Sequence, residues 1–293
     1  MPLAPVAAEQ ERYTLGFGRL FSNDQIGDGE DRWRSGSYTF SILRGYDWEG
    51  APPQRLFDIF EYRLRTEIIA PQRLNGPLST DRPYVGSLFF GLHTHFAQGE
   101  TLISGGMDII AVGPQTGVAD WQDWFHDLVD APTFSQGVKE AQVDNAIYAQ
   151  ATIEAARPVM LNETTQLRPF LEVQAGAETL IRAGADVIIG PHLQDVLWLR
   201  DSTTGQLYQG VGGNLSGFGF VLGADAAQIA DSRYLPASYG VQAEETRMRA
   251  RAGVHWQFGP DASFFYGLTY LSEEYEGQPE GQVLGSVKLN FNF

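Results

Sequence analysis

Side chains that could carry chemistry occur in separate parts of the sequence. Asn23-Asp24 lies where a first segment of alternating residues ends, and Ser35 lies where the next begins. Asp81-Arg82-Pro83-Tyr84 opens a later segment, and His126 lies in a long connection. An imidazole exchanges protons near neutral pH, and carboxylate and amide oxygens are ligands of hard cations. The topology predicted below gathers these residues at one end of the molecule, so we treat them as candidates for a single site.

Each candidate also has a structural interpretation. Asn and Asp favour turns, so Asn23-Asp24 alone is consistent with a loop turn. His126 alone, between an aromatic residue and an aspartate, is consistent with a structural role. The segment Asp81-Arg82-Pro83-Tyr84 is interpreted as architectural, with an ion pair and a turn that fix the end of the molecule.

The other histidines favour structural roles. His93 and His95 are two residues apart on a predicted strand, share one face and could bind a metal. The simpler interpretation makes them polar residues of a barrel lumen, like His255. His192 lies near a predicted inner turn, away from the candidate site.

The elements that position these residues are predicted from alternation of apolar and polar residues in segments of about ten. Successive side chains of a strand point to opposite faces. Several polar faces carry opposite charges, and the apolar faces carry aromatic residues near strand ends, as in membrane barrels. A terminal phenylalanine, Phe293, on an alternating last strand is the usual outer-membrane insertion signal. We therefore predict an all-β fold, a transmembrane antiparallel barrel, rather than a soluble sandwich.

Twelve segments carry the pattern. An even number closes an antiparallel barrel with both chain ends on one side and no strand edge in lipid. The predicted strands are 12–21, 35–44, 56–69, 84–96, 101–112, 145–158, 166–175, 179–190, 209–223, 240–257, 262–272 and 283–293, with 191–208 the least certain segment. The predicted outer loops are 22–34, 70–83, 113–144, 176–178, 224–239 and 273–282.

The longest connection, 113–144, exceeds the length of a plain hairpin, and long loops usually carry function. Within it, residues 118–130 predict a short amphipathic helix, because Val118, Trp121, Phe125 and Leu128 recur at helical spacing.

Composition excludes several classes of protein. The net charge of −16 argues against a nucleic-acid partner, and it suits either divalent cations or ordinary solubilising charge in loops. With no cysteine there is no disulfide and no thiolate metal site. Residues 1–10 lack the features of a signal peptide, so we expect them to be a periplasmic leader of the mature chain. Residues 11–293 are then a single barrel domain, without an obligate protein partner.

Four motifs occur in an order that resembles a known family. They are Asn23-Asp24, Asp31-Arg32-Trp33-Arg34-Ser35, Asp81-Arg82-Pro83-Tyr84-Val85-Gly86, and Val112-Gly113-Pro114 followed by Gln122 and His126. The pattern is similar to that of the outer-membrane lipid A 3′-O-deacylase (LpxR-type) family. The motifs cover residues 13–130, and the remainder resembles the family only as barrel strands.

The resemblance implies a twelve-stranded outer-membrane barrel that hydrolyses the 3′-linked acyloxyacyl ester of lipid A in the outer leaflet. It implies that His126 is the general base that activates water, and that Asp24 and Asn23 help to hold Ca²⁺, which polarises the ester carbonyl. Ser35, where the family has threonine, would form hydrogen bonds within the site, and Gln122 would orient His126 or its loop. Lipopolysaccharide and outer-membrane lipids are the implied partners.

Three positions depart from the family pattern. Arg34 replaces a tyrosine, Pro132 aligns with a functional glutamate, and the family lysine has no clear counterpart, Arg73 being a stand-in. These departures leave open a catalytically degenerate barrel that binds lipopolysaccharide or stabilises the membrane. A porin-like channel is a weaker alternative, because inward polar side chains would fill a lumen of this size.

Overall fold

The computed structural model describes residues 11–74, 81–130, 133–212, 215–259 and 262–291. The strands in these ranges are β1 (Tyr13–Asn23), β2 (Trp33–Gly45), β3 (Phe60–Ala70), β4 (Val85–Gln98), β5 (Thr101–Val112), β6 (Ala146–Ala156), β7 (Val159–Asn162), β8 (Thr165–Ala175), β9 (Glu178–Ile189), β10 (Leu197–Arg200), β11 (Leu207–Val211), β12 (Gly217–Ser232), β13 (Thr246–Gln257), β14 (Ala262–Leu271) and β15 (Gln282–Phe291). The α-helices are α1 (Val118–Val129) and α2 (Gln136–Glu140), and short 3₁₀-helices cover Pro114–Thr116, Pro191–Leu193 and Ala237–Tyr239. Among the described helices, none is long and apolar enough to cross a membrane.

Twelve of these strands close into one antiparallel barrel. These wall strands are all of the strands above except β7, β10 and β11. Each pairs with the next wall strand along the chain, so β6 pairs with β8, for example Ile153 opposite Val173, and β9 pairs with β12. The first and last strands also pair, with Phe21 opposite Val287. Closure pairs the backbone groups that an open edge would leave in the lipid. The predicted fold class and strand number are confirmed.

The wall divides its side chains by alternation. In β13 the exposed Met248 faces outward, whereas Arg247, Arg249 and Arg251 are buried in the lumen. The inward guanidinium groups bind carboxylates of neighbouring strands, such as Arg249 to Asp225 at 2.9 Å. Buried charges need such partners because their desolvation is costly. The sequence pattern of opposite charges on polar faces thus corresponds to ion pairs across the lumen.

The predicted strand 209–223 is wrong in its bounds. Its first residues belong to β11, which pairs with β10 in a separate two-stranded sheet. The wall strand β12 begins at Gly217 and continues to Ser232, so most of the predicted loop 224–239 is strand. Both β11 and β12 are extended and close in sequence, and alternation alone does not separate a lumen strand from a wall strand.

The β10–β11 hairpin, residues 197–211, lies inside the lumen and contacts several sides of the wall. Arg200 binds Asp186 of β9 at 2.8 Å, and Thr203 donates to Glu67 of β3 at 2.8 Å. Gln206 donates to Thr269 of β14 at 3.1 Å. Contacts on three separated strands mean that the hairpin bridges the lumen, which argues against the porin-like alternative.

One end of the barrel carries the connections 24–32, 113–145 and 272–281, and we call it the loop rim. The predicted helix 118–130 is confirmed there as α1. The opposite end carries the connection 46–59, the tight turn 99–100, the small strand β7 and the connections that enter and leave the hairpin. Residues 1–10 and Phe293 lie outside the described residues.

Candidate active site

The turn after β1 folds around Asp24. The Asp24 carboxylate accepts backbone N–H groups from Gln25 at 2.9 Å and from Arg32 at 2.7 Å, and the side chain is fully buried. Asn23 Oδ1 also accepts the Gln25 N–H at 2.9 Å, and Asn23 Nδ2 donates to the Ser35 carbonyl at 2.8 Å. Asn23 and Asp24 therefore shape the turn, as their structural interpretation expected, and their oxygens converge on one amide.

At the start of β2, the adjacent side chains of Arg34 and Ser35 point in opposite directions. Trp33 has a left-handed φ of 52°, and the pairing with β3 shifts register between Trp33 and Gly36. Arg34 enters the lumen, where it binds Glu67 at 2.7 Å. The Ser35 hydroxyl donates to Asp31 Oδ1 at 2.6 Å in the turn. Arg34, which departs from the family pattern, thus belongs to the lumen network and not to the site.

His126 lies on the buried face of α1 and points toward the same turn. Its Nε2 is 3.4 Å from Asp31 Oδ2. One helical turn earlier, Gln122 Nε2 lies 3.5 Å from the same imidazole nitrogen, and Gln122 Oε1 accepts the Tyr84 hydroxyl at 3.0 Å. Phe134 stacks on the imidazole with ring centroids 6.3 Å apart. The ring is therefore held by a carboxylate, an amide and an aromatic face.

The structure brings Ser35, Asp31, His126, Gln122 and Tyr84 into one chain of contacts. Of the predicted catalytic residues, His126, Ser35 and Gln122 belong to this chain, and Asn23 holds the backbone of Ser35. Sequence reasoning did not assign a role to Asp31, although it heads the motif at 31–35. A carboxylate beside an imidazole fixes the ring and stabilises the imidazolium form, as in hydrolase triads.

Burial dominates the electrostatics of the turn. Burial, together with repulsion from Asp31 and Asp28, raises the pKa of Asp24 to about 9, against the hydrogen bonds from Arg32 and Gln25. Burial and the same Asp31 carboxylate raise the pKa of Tyr84 as well. The hydroxyl of Tyr84 therefore stays protonated and donates to Gln122. A cation close to Asp24 would relieve the repulsion that disfavours its charged form.

The donor set at Asn23 and Asp24 fits a hard cation. Both side chains offer oxygen atoms, and the buried Asp24 carboxylate lies in the field of two further carboxylates. Within the described residues, no group of three or more His, Asp or Glu side chains is arranged to hold a metal. Ca²⁺ at this turn would therefore take its remaining ligands from backbone carbonyls, water or substrate oxygens.

The histidines on β4 do not share a metal position. His93 contacts Asp108 at 3.2 Å, and His95 contacts Glu61 at 2.8 Å, so each imidazole has its own carboxylate in the lumen. His255 is likewise a lumen residue and packs against Phe265 with ring centroids 4.4 Å apart. The interpretation of these residues as polar lumen side chains agrees with their burial.

The remaining candidates lie around the site. Arg82 enters the lumen and binds Glu274, while Asp81 accepts the Tyr275 hydroxyl at 2.7 Å, in keeping with an architectural role. Arg73 is exposed and Pro132 lies outside the described residues. His192 follows β9 at the end of the barrel opposite the loop rim.

The site lies on the outward side of the wall. Asn23 occupies the same face of β1 as the exposed Phe17 and Phe21. On β4, a Cβ atom built at Gly86 would lie 2.8 Å from Val118 Cβ, so the start of α1 rests directly on the backbone of the wall. The glycine permits this close approach. His126 and Asp31 thus meet between α1 and the exterior of the barrel.

Comparison with known proteins gives a family and a fold. A family model described as outer membrane protein LpxR matches residues 1–293. Among solved structures, LpxR from Salmonella typhimurium is 16% identical, with a TM-score of 0.76, covering 95% of this chain and 100% of that chain. The β domain of the Bordetella autotransporter BrkA is 11% identical, with a TM-score of 0.46, covering 96% and 99%. A search of curated proteins returned no match.

Proposed function

This chain belongs to the LpxR family of outer membrane proteins, and we propose that it is a Ca²⁺-dependent lipid A deacylase. The proposed reaction is hydrolysis of the 3′-linked acyloxyacyl ester of lipid A in the outer leaflet. The observation that carries the proposal is the Asp31–His126 contact of 3.4 Å, held between α1 and the outward face of the wall. A proton-transferring pair in that position suits an ester presented from the membrane.

His126 is the general base in the proposed mechanism. Its imidazole takes a proton from a water molecule, which then attacks the ester carbonyl. Asp31 stabilises the imidazolium that forms, and Gln122 keeps the ring in place. The imidazolium returns the proton to the departing sugar oxygen as the tetrahedral intermediate collapses. The Ser35 hydroxyl donates to Asp31, so its role is to position that carboxylate and not to attack the substrate.

Asn23 and Asp24 are the residues that would hold Ca²⁺. When bound there, the cation would supply Lewis-acid polarisation of the ester carbonyl and stabilise negative charge on its oxygen. The same two residues keep the turn closed through Gln25, so the cation-binding oxygens and the position of Ser35 depend on one local structure.

The outward face below the site supports a lipid substrate. A groove of about 400 Å³ runs over β1 to β4, and its apolar walls come from Tyr38, Phe40, Leu64 and Leu88. An acyl chain that lies in such a groove contacts apolar side chains instead of water or disordered lipid chains. A substrate anchored by its acyl chains would have its ester close to the rim. A water-soluble ester has no equivalent use for this groove.

The test is a comparison of lipid A from cells that contain the wild-type protein, His126→Ala or His192→Ala. His192 lies at the opposite end of the barrel and serves as the matched histidine control. With calcium present, mass spectra of the lipid A should show loss of the acyloxyacyl group in cells with the wild type or the control. Cells with His126→Ala should show intact lipid A. Intact lipid A with the wild type would instead favour the degenerate, lipopolysaccharide-binding barrel. Full activity of His126→Ala would remove His126 as the base.

A further inference from the structure

Helix α1 carries an exposed apolar stripe that the site does not use. The stripe consists of Trp121, Trp124, Phe125 and Leu128, at the spacing i, i+3, i+4 and i+7 of one helical face. The exposed fractions are 56% for Trp121, 60% for Trp124 and 67% for Leu128. Trp121 and Phe125 stack with ring centroids 5.7 Å apart. Exposed apolar surface of this extent on an amphipathic helix marks a binding surface.

The helix has three distinct faces. Val118, Ala119, Gln122 and His126 form the buried face against the barrel and the candidate site. At about 100° per residue, the stripe lies beside this face. The third face is acidic, with exposed Asp120 and Asp127, and Asp123 bound to Lys139 at 2.5 Å. The buried face packs on protein and the acidic face is hydrated. The apolar stripe therefore needs a third, apolar partner.

The surroundings of α1 identify that partner. Gly86, on which Val118 rests, faces outward on β4, as do Phe90 and Leu92 further along the strand, both of which are exposed. Met107 and Ile109 of β5 extend the same apolar exterior. This wall belongs to an outer membrane protein, so its exterior contacts hydrocarbon chains. The stripe lies beside the face of α1 that rests on this lipid-facing wall.

We infer that α1 lies in the membrane interface with its stripe inserted among the acyl chains of the outer leaflet. Amphipathic helices bind lipid in this way, with tryptophan and phenylalanine at the boundary between head groups and chains. The acidic face then points to water and head groups. Because His126 is on the adjacent face of the same helix, insertion holds the imidazole at the depth where acyl esters lie. The inference concerns membrane contact and does not require that hydrolysis occurs.

Spin labelling tests the inference directly, since the chain has no cysteine of its own. Leu128→Cys and Trp124→Cys place a nitroxide on the stripe, and Asp127→Cys places one on the acidic face of the same helix. Met107→Cys, 57% exposed on the wall, provides the lipid-facing reference. The barrel is reconstituted into phospholipid vesicles, and collision rates are measured with oxygen, which concentrates in lipid, and with a water-soluble nickel chelate.

The expected result is an oxygen-to-nickel ratio severalfold higher at positions 128 and 124 than at position 127, and similar to that at position 107. Ratios at both stripe positions equal to that of Asp127→Cys would overturn the inference. The spin-label measurement does not depend on lipid A hydrolysis, so it is independent of the deacylation assay. If the stripe inserts but lipid A stays intact in the deacylation assay, the proposed function fails alone. If lipid A is cleaved but the stripe stays in water, the inference fails alone.

Discussion

Asp31 joins two parts of the chain that lie far apart in sequence. Its two carboxylate oxygens contact different residues, Ser35 at 2.6 Å and His126 at 3.4 Å. One oxygen is therefore fixed by the turn while the other faces the imidazole. This arrangement makes Asp31 a positioning residue for the proposed base, acting through His126.

Asp31→Asn should lower kcat while leaving KM for lipid A almost unchanged. The amide keeps the size of the side chain but cannot stabilise an imidazolium by charge, so we expect a loss between about 10²-fold and about 10⁴-fold, the latter being the cost of the same change in a Ser-His-Asp triad. Steady-state rates on purified lipid A check this. Asp28→Asn is the matched control, because Asp28 lies in the same turn and accepts the backbone N–H groups of Glu30 and of Val283 in β15. Equal losses in both variants would indicate a general effect on the turn.

Asp24 should make stability depend on pH when calcium is removed. Burial raises its pKa to about 9 in the folded protein, against an unfolded value of about 3.9. Below pH 4 both states hold the proton, so the stabilising contribution is complete. Between about pH 4 and pH 9 only the folded state holds it, and stability falls as pH rises. The unfolding temperature, followed by the gel shift of heated barrel, should therefore decrease over this window with chelator present.

Calcium should oppose this decrease, because it binds the deprotonated carboxylate and binds better as pH rises. Asp24→Asn imitates the protonated carboxyl and should flatten both the pH profile and the response to calcium. An unchanged response in Asp24→Asn would mean that the cation binds elsewhere.

At the scale of elements, the contact between α1 and β4 sets the position of the base. Gly86→Ala would place its Cβ atom 2.8 Å from Val118, so the helix must shift outward. Displacements of about 1 Å can cost about 10²-fold in rate, and we expect a loss of that order in deacylation. The barrel itself should keep its heat stability, since the wall pairing is untouched.

Gly105→Ala is the matched control for this substitution. Gly105 also faces outward, on β5, and a Cβ atom there would meet its nearest neighbour at an ordinary 3.6 Å. Both rates come from the same lipid A assay. If Gly86→Ala retained the activity of Gly105→Ala, the position of α1 would not limit the reaction.

The elements also show how far sequence reasoning reaches. The wall strands were predictable because lipid on one side and a polar lumen on the other impose strict alternation, and α1 because its apolar residues repeat at helical spacing. The β10–β11 hairpin was not, since β11 carries the same local pattern as a wall strand. The role of Asp31 was not predicted for a related reason. Its partner His126 is brought near by the closure of the barrel and the fold of a long loop, and no local sequence pattern indicates this contact.

The hairpin is held to the wall by ion pairs. The side chain of Arg200 is buried and binds Glu154 and Asp186 together. Arg200→Ala removes the shared cation of two buried carboxylates that keep Arg168 and Arg251 as partners. We therefore expect a loss larger than that of an exposed pair but below the about 3–5 kcal/mol that an unpaired buried charge costs. Arg157→Ala is the control, because Arg157 and Glu100 are paired but exposed at 64% and 77%, where such pairs contribute at most about 1 kcal/mol. Heat-induced gel shifts of the two variants should separate clearly.

At the scale of the whole molecule, the site and the lumen are independent. His126 and Asp31 meet on the exterior, between α1 and the wall, whereas Arg200, Thr203 and Gln206 of the hairpin fill the interior. An enzyme that takes its substrate from the surrounding membrane has no need of an open channel. The lumen can then serve stability alone, through its ion pairs and the bridging hairpin.

Conductance measurements test this division of roles. The wild-type barrel in a planar bilayer should show no porin-like steps, because the hairpin bridges β3, β9 and β14 across the lumen. Replacing residues 197–211 with a short Gly-Ser linker removes the hairpin from the lumen and should produce discrete channel openings. Water then enters the lumen and solvates the carboxylates that Arg200 bound. Deacylation should persist in this variant, because every site contact lies outside the lumen. Porin-like steps in the wild type, or loss of deacylation in a variant whose wall is intact, would show that interior and exterior are coupled.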